Sequence, residues 1–215
     1  STTSTFSVQV TGVADAPTLT TIDAAGLEDE PIALDLSAVL NDTDGSESLA
    51  FTITGVPEGA TLSAGTANPD GSWSLQPDQL DGLTITPPAD SDTDFDLTVA
   101  ATSTEADGDT AASTATITVS VTGVADIPTL TTTDAEGFAG QPIALDLSAA
   151  LTDTDGSESL TLTITGVPEG ATLSAGTANA DGSWTLQPDQ LDGLTITPAT
   201  DAPGDIELPV TAIST

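Results

Sequence analysis

The 215-residue sequence contains no cysteine, histidine, lysine, arginine, methionine or tyrosine, and only four phenylalanines and two tryptophans. Each absence removes a class of chemistry. Without cysteine there is no disulfide, no thiolate nucleophile and no zinc–sulfur site. Without histidine the usual general base and the commonest transition-metal ligand are gone. Without lysine or arginine nothing neutralises a phosphate backbone, so no nucleic-acid partner is expected. The 34 Asp and Glu residues stand uncompensated at a formal net charge of −34, which also repels anionic lipid. No segment reaches the ~20 apolar residues of a membrane helix, so no direct membrane insertion is expected. The N-terminus lacks the basic region and apolar core of a signal peptide. The partner such a surface invites is a cation, and hard divalent cations prefer carboxylate oxygen.

What remains is 37% hydrophobic, lean but sufficient for the thin core of a β-sandwich. High charge with few aromatics is the signature of disorder. Here the charge is spread along the chain and the apolar residues fall in strand-like runs, which points to a folded chain. The length suits two domains.

A long repeat divides the chain. Val10-Thr11-Gly12-Val13-Ala14-Asp15 recurs as Val121-Thr122-Gly123-Val124-Ala125-Asp126, and the 111-residue offset holds without a gap. Aligning residues 10–104 with 121–215 pairs 95 positions, of which 72 are identical. A period this long is one whole domain per repeat, not a solenoid turn. Thr5–Val10 matches the strand pattern of Thr116–Val121. Residues 1–12 therefore read as the last strand of a preceding repeat, 13–122 as the first complete repeat, and 123–215 as a second repeat without its last strand. On that phasing the parent chain is expected to continue in both directions.

Alternation at period two marks strands. Leu49, Phe51 and Ile53 share one face. So do Ile32, Leu34 and Leu36, then Phe95, Leu97 and Val99, and then Ile117, Val119 and Val121. Branched Val and Thr fit the pleat. Gly and Pro punctuate at Gly55–Gly59, Asn68–Gly71 and Asp81-Gly82. Ser37–Leu40 reads as a single helical turn. About seven strands in ~110 residues is the count of an immunoglobulin-like sandwich. The fold class is thus all-β, as tandem immunoglobulin/cadherin-like β-sandwiches. Trp73 and Trp184 read as core-edge anchors, with a sugar-stacking platform as the other use of an aromatic.

Four acidic groups could carry metal chemistry. The first is Asp42-Thr43-Asp44-Gly45-Ser46-Glu47, repeated as Asp153-Thr154-Asp155-Gly156-Ser157-Glu158. Carboxylates at alternate positions around a glycine turn can converge on calcium, which takes six to eight oxygens. The spacing is not that of the twelve-residue EF-hand loop. The competing reading is a polar turn in which Asp caps backbone amides. The second group is Glu105, Asp107 and Asp109, three acids within five residues that repel unless a cation or water screens them. The third is Asp126, with Asp15 its equivalent, beside a proline at the repeat junction. The fourth is Glu28-Asp29-Glu30, whose counterpart is Ala139-Gly140-Gln141, so the two repeats cannot share it.

Several motifs in this order carry a resemblance: an acidic loop before Pro-Ile-Ala-Leu, Asn-Asp-Thr-Asp-Gly, a Gly-Ala-Thr-Leu hairpin, Asp-Gly-Ser-Trp, Leu-Thr-Ile-Thr-Pro, and a last strand running into Val-Ala-Asp. The chain resembles the cadherin-like tandem repeats of giant bacterial surface adhesins, which are often type I secreted beside RTX calcium-binding segments. The resemblance covers essentially the whole chain. It implies an extracellular, cell-surface stalk whose repeats Ca2+ rigidifies. Glu28 matches the family's strand-leading Glu, and Asp126 matches one junction acid. Gly123 and Ala125 depart from the family's Asp-Val-Asn-Asp-Ala-Pro junction. No Gly-Gly-x-Gly-x-Asp nonapeptide is present.

The expected function is a structural spacer in a secreted or cell-surface adhesin or filament, and not an enzyme. Near-identical repeats suit a spacer, which needs length and not a unique pocket. The alternatives are a carbohydrate- or cell-binding module, a two-carboxylate hydrolase, and an acidic halophile surface protein without specific calcium sites. The expected partners are neighbouring repeats of the same chain. Strand addition between copies, through Thr5–Val10, is a further expected contact.

Overall fold

The structure is a computed structural model that describes residues 1–201 and 204–215. It is all-β, and it divides into two compact units, Ser1–Val124 and Ala125–Thr215, here units 1 and 2.

In unit 1 the described strands are β1 (Thr18–Thr21), β2 (Ala24–Leu27), β3 (Ile32–Ala33), β4 (Leu36–Val39), β5 (Glu47–Thr54), β6 (Thr61–Leu62), β7 (Thr66–Ala67), β8 (Trp73–Leu75), β9 (Thr84–Thr86), β10 (Phe95–Glu105) and β11 (Thr110–Thr122). One sheet has the order β2-β11-β10-β5-β8-β7, and the other face is built from β3-β9-β6 and β1-β4. The two faces close on one apolar cluster, to which Phe51, Ile53, Leu97, Val99, Ile117 and Val119 contribute from the larger sheet and Ile32, Leu62 and Ile85 from the smaller. Alternation explains this, because the buried residues of β10 and β11 fall at every second position. Neighbouring strands of the larger sheet are antiparallel except β2, which runs parallel to β11 with Val119 opposite Ala24. The count exceeds the seven strands expected because β3, β6 and β7 are two-residue pieces and because the first edge changes sheets. β1 pairs with β4, and β2 then crosses to β11.

Unit 2 repeats the plan with β12 (Thr129–Thr133), β13 (Ile143–Ala144), β14 (Asp146–Ala150), β15 (Leu160–Ile164), β16 (Thr172–Leu173), β17 (Thr177–Ala178), β18 (Trp184–Leu186), β19 (Thr195–Thr197) and β20 (Val210–Ser214). Its sheets are β12-β14, β13-β19-β16 and β17-β18-β15-β20. Leu162, Ile164, Leu186 and Leu194 form its buried centre.

Two expectations are corrected or changed. Ser37–Leu40 is not a helical turn, since Leu36–Val39 is a strand paired antiparallel with Thr18–Thr21. Pairing to β1 outweighs the weak helical preference of Ser-Ala. The helical turns lie instead at Pro77–Gln79 and Pro188–Gln190, each started by proline and closed by a Gln–Gln capping box. Residues 1–17 form no strand, and Phe6, Val8 and Val10 are exposed. A strand needs a partner edge, and none is bonded to this segment here. Trp73 and Trp184 are half-buried and pack against their cores.

Candidate metal centre

The inward face of β10 runs Leu97, Val99, Ala101, Ser103, Glu105, and all five are buried. Apolar side chains thus give way to polar ones at one end of the sandwich. Across the sheet, β5 ends at Glu47, which stands directly opposite Glu105. Two acids on the same inner face of neighbouring strands repel.

The segment that precedes β1 lies over this end. The Asp15 N–H donates to Glu47 Oε1 at 2.7 Å, and the Ala14 N–H donates to Asp109 Oδ2 at 3.0 Å. The Ser103 hydroxyl donates to the Asp15 carbonyl at 2.6 Å, and the Ser113 hydroxyl to the Pro17 carbonyl at 2.5 Å. Gly12 passes so close to Glu105 that a Cβ there would stand 2.7 Å from the carboxyl carbon. Asp15 is therefore clamped by its amide to Glu47 and by its carbonyl to Ser103.

Unit 2 reproduces the clamp. The Asp126 N–H donates to Glu158 Oε1 at 2.5 Å, and the Ser214 hydroxyl donates to the Asp126 carbonyl. In both units the second oxygen of the glutamate, Glu47 Oε2 and Glu158 Oε2, is buried without a hydrogen-bond partner. Burying an ionised oxygen unpaired is costly. The sequence contains no cationic side chain that could pair with it.

The Asp42–Glu47 loop is a series of capped turns. Asp42 Oδ1 accepts the Asp44 N–H at 2.9 Å, and Asp44 Oδ1 accepts the Ser46 N–H at 2.8 Å. Asp153 and Asp155 do the same for Asp155 and Ser157 at 2.8 and 2.7 Å. Asp153 Oδ2 also accepts the Ser157 hydroxyl at 3.2 Å, and the loop aspartates are thus engaged as in a polar turn. In the β10–β11 hairpin, Asp107 Oδ1 accepts the Asp109 N–H at 3.2 Å. Gly108 takes the positive φ of +97° that this turn requires.

At the other end of unit 1, the buried Glu28 accepts the Val124 N–H at 2.6 Å. Asp29 accepts the Asp90 N–H at 3.1 Å, and both residues hold positive φ, 58° and 52°. Among the described residues, the acids of groups that could hold a metal ion and that come together within one unit are Asp29 with Asp90 in unit 1 and Asp153 with Asp155 in unit 2. Asp42, Asp44, Glu47, Glu105, Asp107, Asp109 and Glu158 are not members of those groups. A cation beside Glu47 would therefore draw further ligands from main-chain carbonyls and water.

Sequence reasoning found the glutamates but missed Ser103 and Ser214. Their signal was present: a serine at an inward position of a strand whose preceding inward residues are all apolar. No protein-family model matches this chain, and no curated protein matches it.

Proposed function

We propose that the chain is a pair of β-sandwich repeats from the stalk of a secreted or cell-surface bacterial adhesin or filament, stiffened by Ca2+ and without a catalytic role. One observation carries the reading. The same glutamate, Glu47 in unit 1 and Glu158 in unit 2, buries an unpartnered oxygen beside the segment that leads into each sandwich. With no Lys, Arg or His anywhere in the sequence, no cationic side chain can compensate that oxygen, and a metal ion can. Calcium suits an all-oxygen site of carboxylates, carbonyls and water. Its ligands would tie the entry segment to the loop before β5, which is where a stalk must resist bending. The 72 identities in 95 aligned positions further support a spacer.

The test is calorimetric titration of the metal-free chain with calcium, with magnesium and potassium as comparators. Saturable calcium binding that Glu47→Gln with Glu158→Gln removes is the expected result. Stabilisation that tracks ionic strength alone, equally with potassium, would favour the acidic surface protein without specific sites.

A further inference from the structure

We infer that the open edge of β4, repeated at β14 in unit 2, is a docking groove for an extended basic segment of another protein, which joins the sheet there as an added strand.

The chain from Ile32 to Val39 serves two partners. Its first part, β3, pairs with β9, and its second part, β4, pairs with β1. An antiparallel strand directs its main-chain groups alternately to its two sides. The Leu34 N–H donates to the Leu83 carbonyl at 2.9 Å, on the β9 side, and the Asp35 carbonyl accepts the Ile22 N–H at 3.0 Å, on the β1 side. Period two then turns the main-chain groups of Leu36 and Ala38 to the same side as those of Leu34. No strand meets them there, because among the described residues β4 pairs only with β1. The chain before β9 turns away through the helical turn Pro77–Gln79. This leaves a groove of about 540 Å³ lined by Leu36, Ala38, Phe51, Leu80 and Leu83, within the ~300–1,000 Å³ of ligand clefts.

Unit 2 has the same opening. The Leu145 N–H donates to the Leu194 carbonyl at 2.9 Å, and β14 pairs only with β12 among the described residues. A groove of about 450 Å³ lies between Leu147, Ala149, Leu191 and Leu194. The segments that build it, 31–38 and 75–87, recur without a change as 142–149 and 186–198. The opening therefore belongs to the repeat and not to one unit.

Charge selects the occupant. Asp35 and Asp81 line the groove in unit 1, and Asp146 and Asp192 line it in unit 2. A second copy of this chain would bring only further acid, since it has no Lys or Arg and a formal net charge of −34. Like charges placed opposite one another across strands are destabilising. The guest is therefore a different chain that carries lysine or arginine. Alternation along an added strand sets apolar side chains over Phe51 and Leu80 and leaves the basic ones beside the aspartates. Main-chain hydrogen bonds to Leu36 and Ala38 supply the attraction, as in other additions to a sheet edge.

The probe is a blocked heptapeptide of alternating lysine and valine, titrated into the full chain in millimolar calcium at fixed ionic strength and followed by amide NMR. Saturable shifts centred on Leu36, Ala38, Leu147 and Ala149 are expected, with exchange of these amides slowed at least tenfold. N-methylation of the central peptide amides keeps the charge and should weaken binding at least tenfold. Replacing lysine by glutamate in the peptide should abolish it. Asp35→Asn with Asp146→Asn should weaken binding at least threefold more than Glu58→Gln with Glu169→Gln, an equal change of charge at exposed acids outside the grooves. Undiminished binding of the methylated peptide would reduce the effect to charge attraction and overturn the inference. Equal effects of the two charge pairs, or shifts centred on other strands, would overturn it too. Self-association of the chain that shifts the Leu36 and Ala38 amides would assign the edge to a second copy, against the inference.

Discussion

Asp70 and Asp181 cap the serines that follow them by two residues, and each accepts both the hydroxyl and the amide of that serine at 2.7 and 3.0 Å. The serine hydroxyl first and the serine amide second hold both carboxyls below the ordinary aspartate value of 3.8. A lowered folded value means these caps are fully formed above pH 3.8 and are lost as pH falls through the lowered value. The Ser72 and Ser183 amide resonances are therefore expected to titrate with midpoints below 3.8, and midpoints at or above it would contradict the geometry. Glu105 makes a second case at this scale. It faces Glu47 across the strands on the inner side of the sheet, so Glu105→Gln is expected to raise stability in chelator by ~0.2–1 kcal/mol, the size of a like-charge cross-strand penalty. The same variant should gain less from calcium than the parent. A lower melting temperature in chelator would show that the pair is not repulsive.

The elements follow from period-two patterning wherever a strand has a buried face and a neighbour close in sequence. Leu49-Phe51-Ile53 and Ile117-Val119-Val121 were legible for that reason, and so were the turns that separate them. The parallel pairing of β2 with β11 was not, because its partners lie 95 residues apart and no local signal joins them. Ser37–Leu40 misled for the complementary reason: its strand state is set by β1, not by its own residues. At the site, glutamates and aspartates could be named from composition, but which oxygens are buried depends on the segment folded over them. Glycine shows the difference between a local and a tertiary demand. Gly55 and Gly71 have nearly the same φ, +85° and +84°, yet a Cβ at Gly55 would meet the Asp96 carbonyl oxygen at 2.4 Å while Gly71 faces open space. Gly55→Ala is therefore expected to cost at least ~1 kcal/mol more than Gly71→Ala, an overpacking increment on a shared backbone strain. Denaturant unfolding of the two variants checks this, and equal losses would refute it.

At the scale of the molecule, two near-identical sequences give units with unequally buried cores. Unit 1 buries Ile32, Leu34 and Leu36, and unit 2 leaves their counterparts half-buried. Unit 2 is expected to open first, with faster hydrogen exchange in β14 than in β4; equal protection would contradict this. No helix among the described residues is long and apolar enough to cross a membrane. The central claim concerns the acids that no side chain in the sequence can neutralise. Ligand that binds only the folded state stabilises by about 2.7 kcal/mol at ~100 times its Kd, and 1 kcal/mol moves the midpoint of a domain this size by ~4–8 °C. The most direct measurement is thermal melting of the full chain in chelator and in millimolar calcium at fixed ionic strength. The account predicts a midpoint about 10 °C or more higher in calcium, with most of the gain abolished by Glu47→Gln and Glu158→Gln together. Superimposable curves in chelator and calcium would contradict it.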